Sequence, residues 1–239
     1  LIRVMGGKLI VERSRIQDYK SRTWYETVSK EEEEGGAIYF AGGATVNLKT
    51  CIIEGCTTGR GGAVHGKEGT LTMEEGCVIR NCIAVAGGAL YFDKNVSADL
   101  RDSRLEECYA NDPRYSGGSG GAVWMDQSTI SIKACTIDNT KKIDGYNPGA
   151  AIRCSTRSTL TMDGSTIKNF SGGRASGGAI EAGASTINIK GSKIEECSAF
   201  QGGAISTRMA SFVNIKDSKI GDCSADRSGG AVWCDGGGE

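Results

Sequence analysis

Proline is nearly absent, with two residues in 239, and histidine occurs once. Aromatic side chains make up only 6% of the chain, and the 29 acidic and 28 basic residues almost cancel. Each shortage excludes something. With charge balanced, no strong field recruits nucleic acid or an anionic membrane surface, so neither is expected as a partner. No apolar run reaches the roughly 18 residues of a membrane span, so this segment is not expected to insert into a bilayer. No basic, apolar, small-residue leader opens the chain either. The single His65 cannot complete a Cys/His zinc set, and no Cys-x-x-Cys pair stands among the ten cysteines, so neither metal nor cofactor is predicted. The chain stops just after a repeat begins, which predicts a segment cut from something longer.

Glycine, by contrast, is plentiful at 36 residues, and without proline that density points to many tight corners. Gly-Gly-Ala followed by an aliphatic residue starts at Gly35, Gly61, Gly87, Gly120, Gly177, Gly202 and Gly229, with a degenerate copy at Gly149-Ala150-Ala151-Ile152. Successive starts are 26, 26, 33, 29, 28, 25 and 27 residues apart, so the chain holds seven complete repeats and the start of an eighth. A helical repeat would space its apolar residues by three and four. Here each unit carries short alternating runs rich in β-branched residues, the pattern of strands.

Three such runs recur per repeat. The first aligns Ile38, Val64, Leu90, Val123, Ile152, Ile180, Ile205 and Val232; the second Val46, Leu71, Ala98, Ile130, Leu160, Ile187 and Val213; the third Ile53, Ile79, Leu105, Ile137, Ile167, Ile194 and Ile220. With a side-chain period of two, these columns share an inward face. The fold class predicted is all-β: a right-handed parallel β-helix of about seven full coils with three strands per coil, a rod roughly 40 Å long at ~4.8 Å per coil. Residues 35–239 are its coils. Residues 1–34 are expected to be an N-terminal cap or degenerate coil, from Gly6-Gly7 and the alternating Leu9 and Val11, with Glu31 to Glu34 a solvated loop.

The cysteines obey the same repeat. Cys56, Cys82, Cys108, Cys197 and Cys223 form one column, in which Thr140 and Phe170 stand in the remaining coils. Cys51, Cys77 and Cys135 alternate in another with Ser103, Ser165, Ser192 and Ser218. Two readings stay open: ladders of small buried thiols, or bridges between adjacent coils such as Cys56 to Cys82 or Cys197 to Cys223.

Before each Gly-Gly-Ala sits a block such as Ile194-Glu195-Glu196-Cys197-Ser198-Ala199-Phe200-Gln201 or Val78-Ile79-Arg80-Asn81-Cys82-Ile83-Ala84. Over about residues 35–234 this arrangement resembles the repeats of chlamydial polymorphic outer membrane proteins, in which a Phe-x-x-Asn block precedes Gly-Gly-Ala-Ile. Ile or Leu stands here for the phenylalanine, and usually Cys for the asparagine. The resemblance implies a surface-exposed passenger or adhesin-like rod, extracellular or on the cell surface, and it carries over no catalytic residue.

The binding surface expected on such a rod is the outward column Tyr39, His65, Tyr91, Trp124, Arg153, Glu181, Ser206 and Trp233, whose first four members are planar rings. Exposed rings on a rigid strand could stack on sugars or anchor a protein. The longer turns Asn111 to Ser119 and Lys141 to Pro148 would bring Tyr115 and Tyr146 to the same edge. The expected sites are therefore Tyr39, His65, Tyr91, Trp124, Tyr115, Tyr146 and Arg153. The partner is a protein, a glycan or neighbouring repeats of a parent assembly.

A polysaccharide lyase or hydrolase is the alternative, since such enzymes share this architecture. The Asn-Thr-Asp, Asp-Asp, Gly-His-Gly and Arg-Ile-Lys signatures are missing, and Asp99, Asp102 and Asp138 lie among surface charges. A minor alternative is ice binding through the stacked Thr45, Thr70, Thr129, Thr159 and Thr186, a grid interrupted by Ser97, Asp99 and Phe212 and flanked by a charged stripe. The reading favoured by the residues is a noncatalytic scaffold or adhesin.

Overall fold

The computed structural model describes residues 1–20, 35–110, 120–140, 150–172 and 176–236, and within them every regular element is a strand. All strand pairs are parallel, each made with the next coil along the chain. The first inward column runs in register from Ile38 through Val64, Leu90, Val123, Ile152, Ile180 and Ile205 to Val232. The Val46 and Ile53 columns do the same. Their aliphatic side chains form one continuous buried core, with Phe40, Phe92, Met73 and Met125 filling its width. At the last turn the cover thins: Val213 and Ile220 are only partly buried, and Ile215 and Val232 are exposed. A coil cannot bury its own apolar face, so the core exists only between neighbours.

The Gly-Gly-Ala corner follows from close approach. The first glycine turns the chain in the left-handed region, as at Gly87 with φ +61°, where a Cβ would lie 2.2 Å from the Leu90 carbonyl oxygen. The second packs against the next coil's backbone: a Cβ on Gly178 would meet the Gly203 oxygen at 2.1 Å. The corners flanking the third strand are also left-handed, yet often lack glycine: Thr50, Asn81, Asp102, Glu107, Ala134, Glu196 and Asp222 all have φ between 45° and 55°. That conformation costs about 1 kcal/mol or more per residue. Cross-coil backbone bonds at the same residues, such as Asn81 N to Glu106 O at 3.0 Å and Glu107 N to Asp138 O at 2.9 Å, offset it.

Two details differ from the three-run pattern. In the first coils the first two runs fuse into single long strands, Ile38–Lys49, Val64–Glu74 and Leu90–Arg101, which shift register between Ala41/Ala44 and Asp93/Val96. A fourth short ladder also precedes the glycine corner, through Thr57–Arg60, Ile83–Ala86 and Tyr109–Ala110, and again through Ser198–Gln201 and Ser224–Ser228. Its inward members, Thr58, Ala84, Ala110 and Ala199, are small, so no hydrophobic run marks it in the sequence.

Residues 1–20 extend the solenoid. Ile2–Met5, Lys8–Glu12 and Arg15–Gln17 pair in register with the first coil, as in Ile2↔Ile38, Leu9↔Val46 and Ile16↔Ile53. Glu31 to Glu34 lies outside the described residues.

Candidate functional site

The outward side of the first strand carries an unbroken ladder: Arg3, Tyr39, His65, Tyr91, Trp124, Arg153, Glu181, Ser206 and Trp233, each directly opposite the next. Parallel pairing stacks these side chains along the rod axis. Tyr39 meets His65 edge-on with ring centroids 5.0 Å apart, and His65 meets Tyr91 edge-on at 4.9 Å. Tyr91 and Trp124 lie face to face at 4.3 Å with planes 6° apart. Arg3 and Arg60 place guanidinium carbons 5.3 Å from the Tyr39 and Tyr91 ring centres.

This geometry corrects the exposed aromatic stripe. Tyr39, His65 and Tyr91 retain 1%, 3% and 6% of their surface, and only Trp124 and Arg153 of the expected sites are half-buried. Axial stacking uses ring faces against neighbouring coils, so they are not offered to a sugar or a partner. Tyr115 and Tyr146 lie outside the described residues. His65 is no general base at neutral pH. Burial, with help from nearby Arg60 and Lys67, pushes its imidazole down to about 3 against a weak opposing pull from the Gly35 backbone. Neither ring nitrogen has a hydrogen-bond partner among the described residues.

Beyond the rings the ladder becomes polar, and of its members there only Arg153 was among the expected sites. Glu181 is the one acid that is buried among the described residues. Burial raises its carboxyl pKa, partly offset by Arg153 and Arg208, and Arg153 Nη1 stands 3.6 Å from Glu181 Oε2. Arg208 Nη2 donates to Ser176 Oγ at 2.6 Å, and the buried Ser206 hydroxyl beside Glu181 has no partner among the described residues. The cue available in the sequence was a glutamate following an arginine in a column that alternates with core positions.

Of the acidic candidates of the sequence, Asp99 and Asp138 sit in surface pairs and Asp102 is exposed. Asp99 accepts from Arg101 at 2.6 Å, and Asp138 accepts from Asn169 at 2.7 Å and pairs with Lys168 at 3.2 Å. Glu54 pairs with both Arg15 and Arg80, at 3.1 and 2.7 Å. On the second strand Thr45 and Thr70 bring their hydroxyls to 3.4 Å, but Phe212 ends that column 61% exposed.

None of the ten cysteines is in a disulfide. Cys56, Cys82, Cys108 and Cys197 are buried and Cys223 is half-buried, each thiol donating to the carbonyl two residues earlier at 3.1–3.4 Å. The second column does more. The backbone N–H of Cys51 donates to Cys77 Sγ, Ser103 to Cys135 Sγ, Cys135 to Ser165 Oγ, Ser165 to Ser192 Oγ and Ser192 to Ser218 Oγ. A parallel spine, unnoticed in the sequence, runs from Val96 N to Ser128 Oγ and on through Ser158, Ser185 and Ser211. Each side-chain acceptor satisfies a backbone N–H at a corner between strands or, for Val96, at the register shift within its strand. Among the described residues no group of three or more His, Cys, Asp or Glu is arranged to hold a metal ion.

In-register parallel coils closed around an aliphatic core, with corner N–H groups capped from the next coil, define the class as a parallel β-helix. The chain belongs to the right-handed β-helix family, whose model, described as a right handed beta helix region, matches residues 89–238, more than half of the chain. No curated protein and no solved structure matches it.

Proposed function

We propose that this chain is a noncatalytic β-helical scaffold, part of a surface-exposed or fibre-forming protein, whose binding edge is the Trp124–Arg153 stretch of the first-strand ladder. The observation that supports it is how the polar and aromatic side chains are used. The rings from Tyr39 to Tyr91 and the two serine and cysteine spines all serve to join coil to coil. Trp124 and Arg153 keep solvent access on this stiff support, so a glycan or protein partner would find them preorganised. The likeness of the Gly-Gly-Ala repeat to chlamydial polymorphic outer membrane proteins favours an extracellular or cell-surface adhesin role. A glycan array and a partner pull-down with the parent and with Trp124→Ser/Arg153→Ser test this. Binding lost in a variant that keeps the parent's β-sheet circular dichroism and still melts cooperatively, at a somewhat lower midpoint, is the expected result; identical binding profiles would remove the assignment.

A polysaccharide-cleaving enzyme is the second reading, favoured by one observation: the buried Glu181, biased towards its protonated form, beside Arg153. Glycoside hydrolysis commonly needs a second carboxylate, and Glu181 has no buried acidic companion among the described residues. Turnover of any member of a polysaccharide panel, abolished by Glu181→Gln, would establish the enzyme and overturn the scaffold.

A further inference from the structure

Cys197 and Cys223 occupy the same column in adjacent coils. The pairs Glu195↔Gly221 and Ser198↔Ser224 fix the register on either side of them. Ser224 N donates to Cys197 O at 3.0 Å, drawing the two corners together. Cys223 also reaches down to the Ile194 carbonyl at 3.9 Å, so its sulfur sits over the neighbouring coil. The same reach is made by Cys82 to Ile53 O and by Cys108 to Ile79 O, but both of those thiols are fully buried. Among the cysteines of this column, Cys223 alone keeps solvent access.

We propose that Cys223 and Cys197 form an oxidation site for hydroperoxides, with Cys223 the attacking thiol and Cys197 the resolving one, and that the product is a disulfide joining adjacent coils. The thiolate of Cys223 attacks the peroxide oxygen; the O–O bond breaks, Cys223 becomes a sulfenic acid, and the alkoxide takes a proton to leave as alcohol. Cys197 then attacks the sulfenic sulfur, the S–S bond forms, and hydroxide leaves with the Cys197 proton as water. Two thiols and one hydroperoxide give one disulfide, one alcohol and one water, so electrons balance with the peroxide as sole oxidant. Cys223 is the half-exposed thiol of the pair, so a hydroperoxide meets its sulfur first, while Cys197, buried in the adjacent coil, is placed to attack second. The bridge would tie the strand Lys219–Gly221 to Lys193–Glu195 and restrain the outermost described coils against fraying.

The site is independent of any binding partner. To test it, the 239-residue protein carrying Cys234→Ser, which removes the exposed thiol, is treated with about one equivalent of alkyl hydroperoxide and mapped by mass spectrometry without reduction. A Cys197–Cys223 cross-linked peptide is expected as the main product. Adding Cys197→Ser should halt the reaction at a Cys223 sulfenic acid, trapped by dimedone. Because that variant could fold poorly, iodoacetamide alkylation of the unsubstituted protein supplies a second readout, with Cys223 expected to react faster than Cys56, Cys82, Cys108 and Cys197. Oxidation of any other thiol first, or alkylation of Cys223 no faster than those four, overturns the proposal.

Discussion

The Trp124 indole lies flat on the Tyr91 phenol ring, centroids 4.3 Å apart and planes within 6° of parallel, joining two successive coils on the outer side of the first strand. Tyr91 is buried by that contact and its neighbours, whereas Trp124 is half-buried. Replacing Tyr91 with alanine should therefore cost about 3 to 5 kcal/mol, and replacing Trp124 less. A double-mutant cycle by urea denaturation should give a coupling of about 0.5–1.5 kcal/mol. Additive losses would show that the rings share space without stabilising one another.

Ile130 and Ile187 are wholly buried in the second-strand column. Truncating either to alanine should cost about 2 to 5 kcal/mol, because stacked coils cannot close the cavity without breaking register. Denaturation curves with an unchanged midpoint would contradict this core.

Ser165 accepts from the Cys135 backbone N–H at 3.1 Å, while its own N–H donates to Ser192 at 3.1 Å. Ser165→Ala strands the Cys135 donor and should cost about 1–3 kcal/mol. Ser165→Cys should recover most of that loss, since Cys77 and Cys135 already serve as acceptors in this column. Equal melting midpoints for alanine and cysteine would mean that shape, not the hydrogen bond, matters there.

His65 is held neutral in the fold, its pKa pushed down to about 3 from 6.5 mainly by burial. The unfolded chain takes up a proton at that site first, so stability from His65 is complete above pH 6.5. It drains away as pH falls towards about 3. His65→Phe keeps a ring in the stack and removes the titration. Plotted against pH, the stability difference between parent and variant should slope through this window and level off above it. A flat difference would place a protonated or unburied imidazole at this site.

The inward columns were legible because one simple signal, aliphatic residues at a period of two, returns with every Gly-Gly-Ala corner. Ile38, Val46 and Ile53 each announce a column that the register confirms. Alternation reports which side of a strand Tyr39 and Tyr91 occupy, but not what stacks above and below them, and so it misjudged their exposure. Ser128, Ser158 and Ser185 were overlooked because a serine in a turn reads as solvated. Their work is done on the backbone N–H of another coil, a relation that exists only once the coils are stacked. The fourth ladder escaped notice for a different reason: Thr58, Ala84 and Ala199 are buried for lack of room and carry little hydrophobic signal.

The serine and cysteine spines all point one way: the donor belongs to the earlier coil and the acceptor to the later one, from Cys51 to Cys77 and from Ser192 to Ser218. A boundary cut across the rod is consequently lopsided. The piece that keeps the earlier coils is left with two corner N–H groups lacking acceptors. On the piece that keeps the later coils, the spine's own thiol or hydroxyl still bonds its corner carbonyl, as Ser165 does to Asp163 at 3.0 Å and Ser192 to Lys190 at 2.8 Å, while the next backbone N–H is stranded, as Thr166 N and Lys193 N are on losing the Cys135 and Ser165 carbonyls. Two fragments divided at one such boundary each carry stranded corner N–H groups, but only those on the N-terminal fragment were capped by a side chain, so an added strand must offer a serine or cysteine in register to heal that edge and only carbonyls to heal the other.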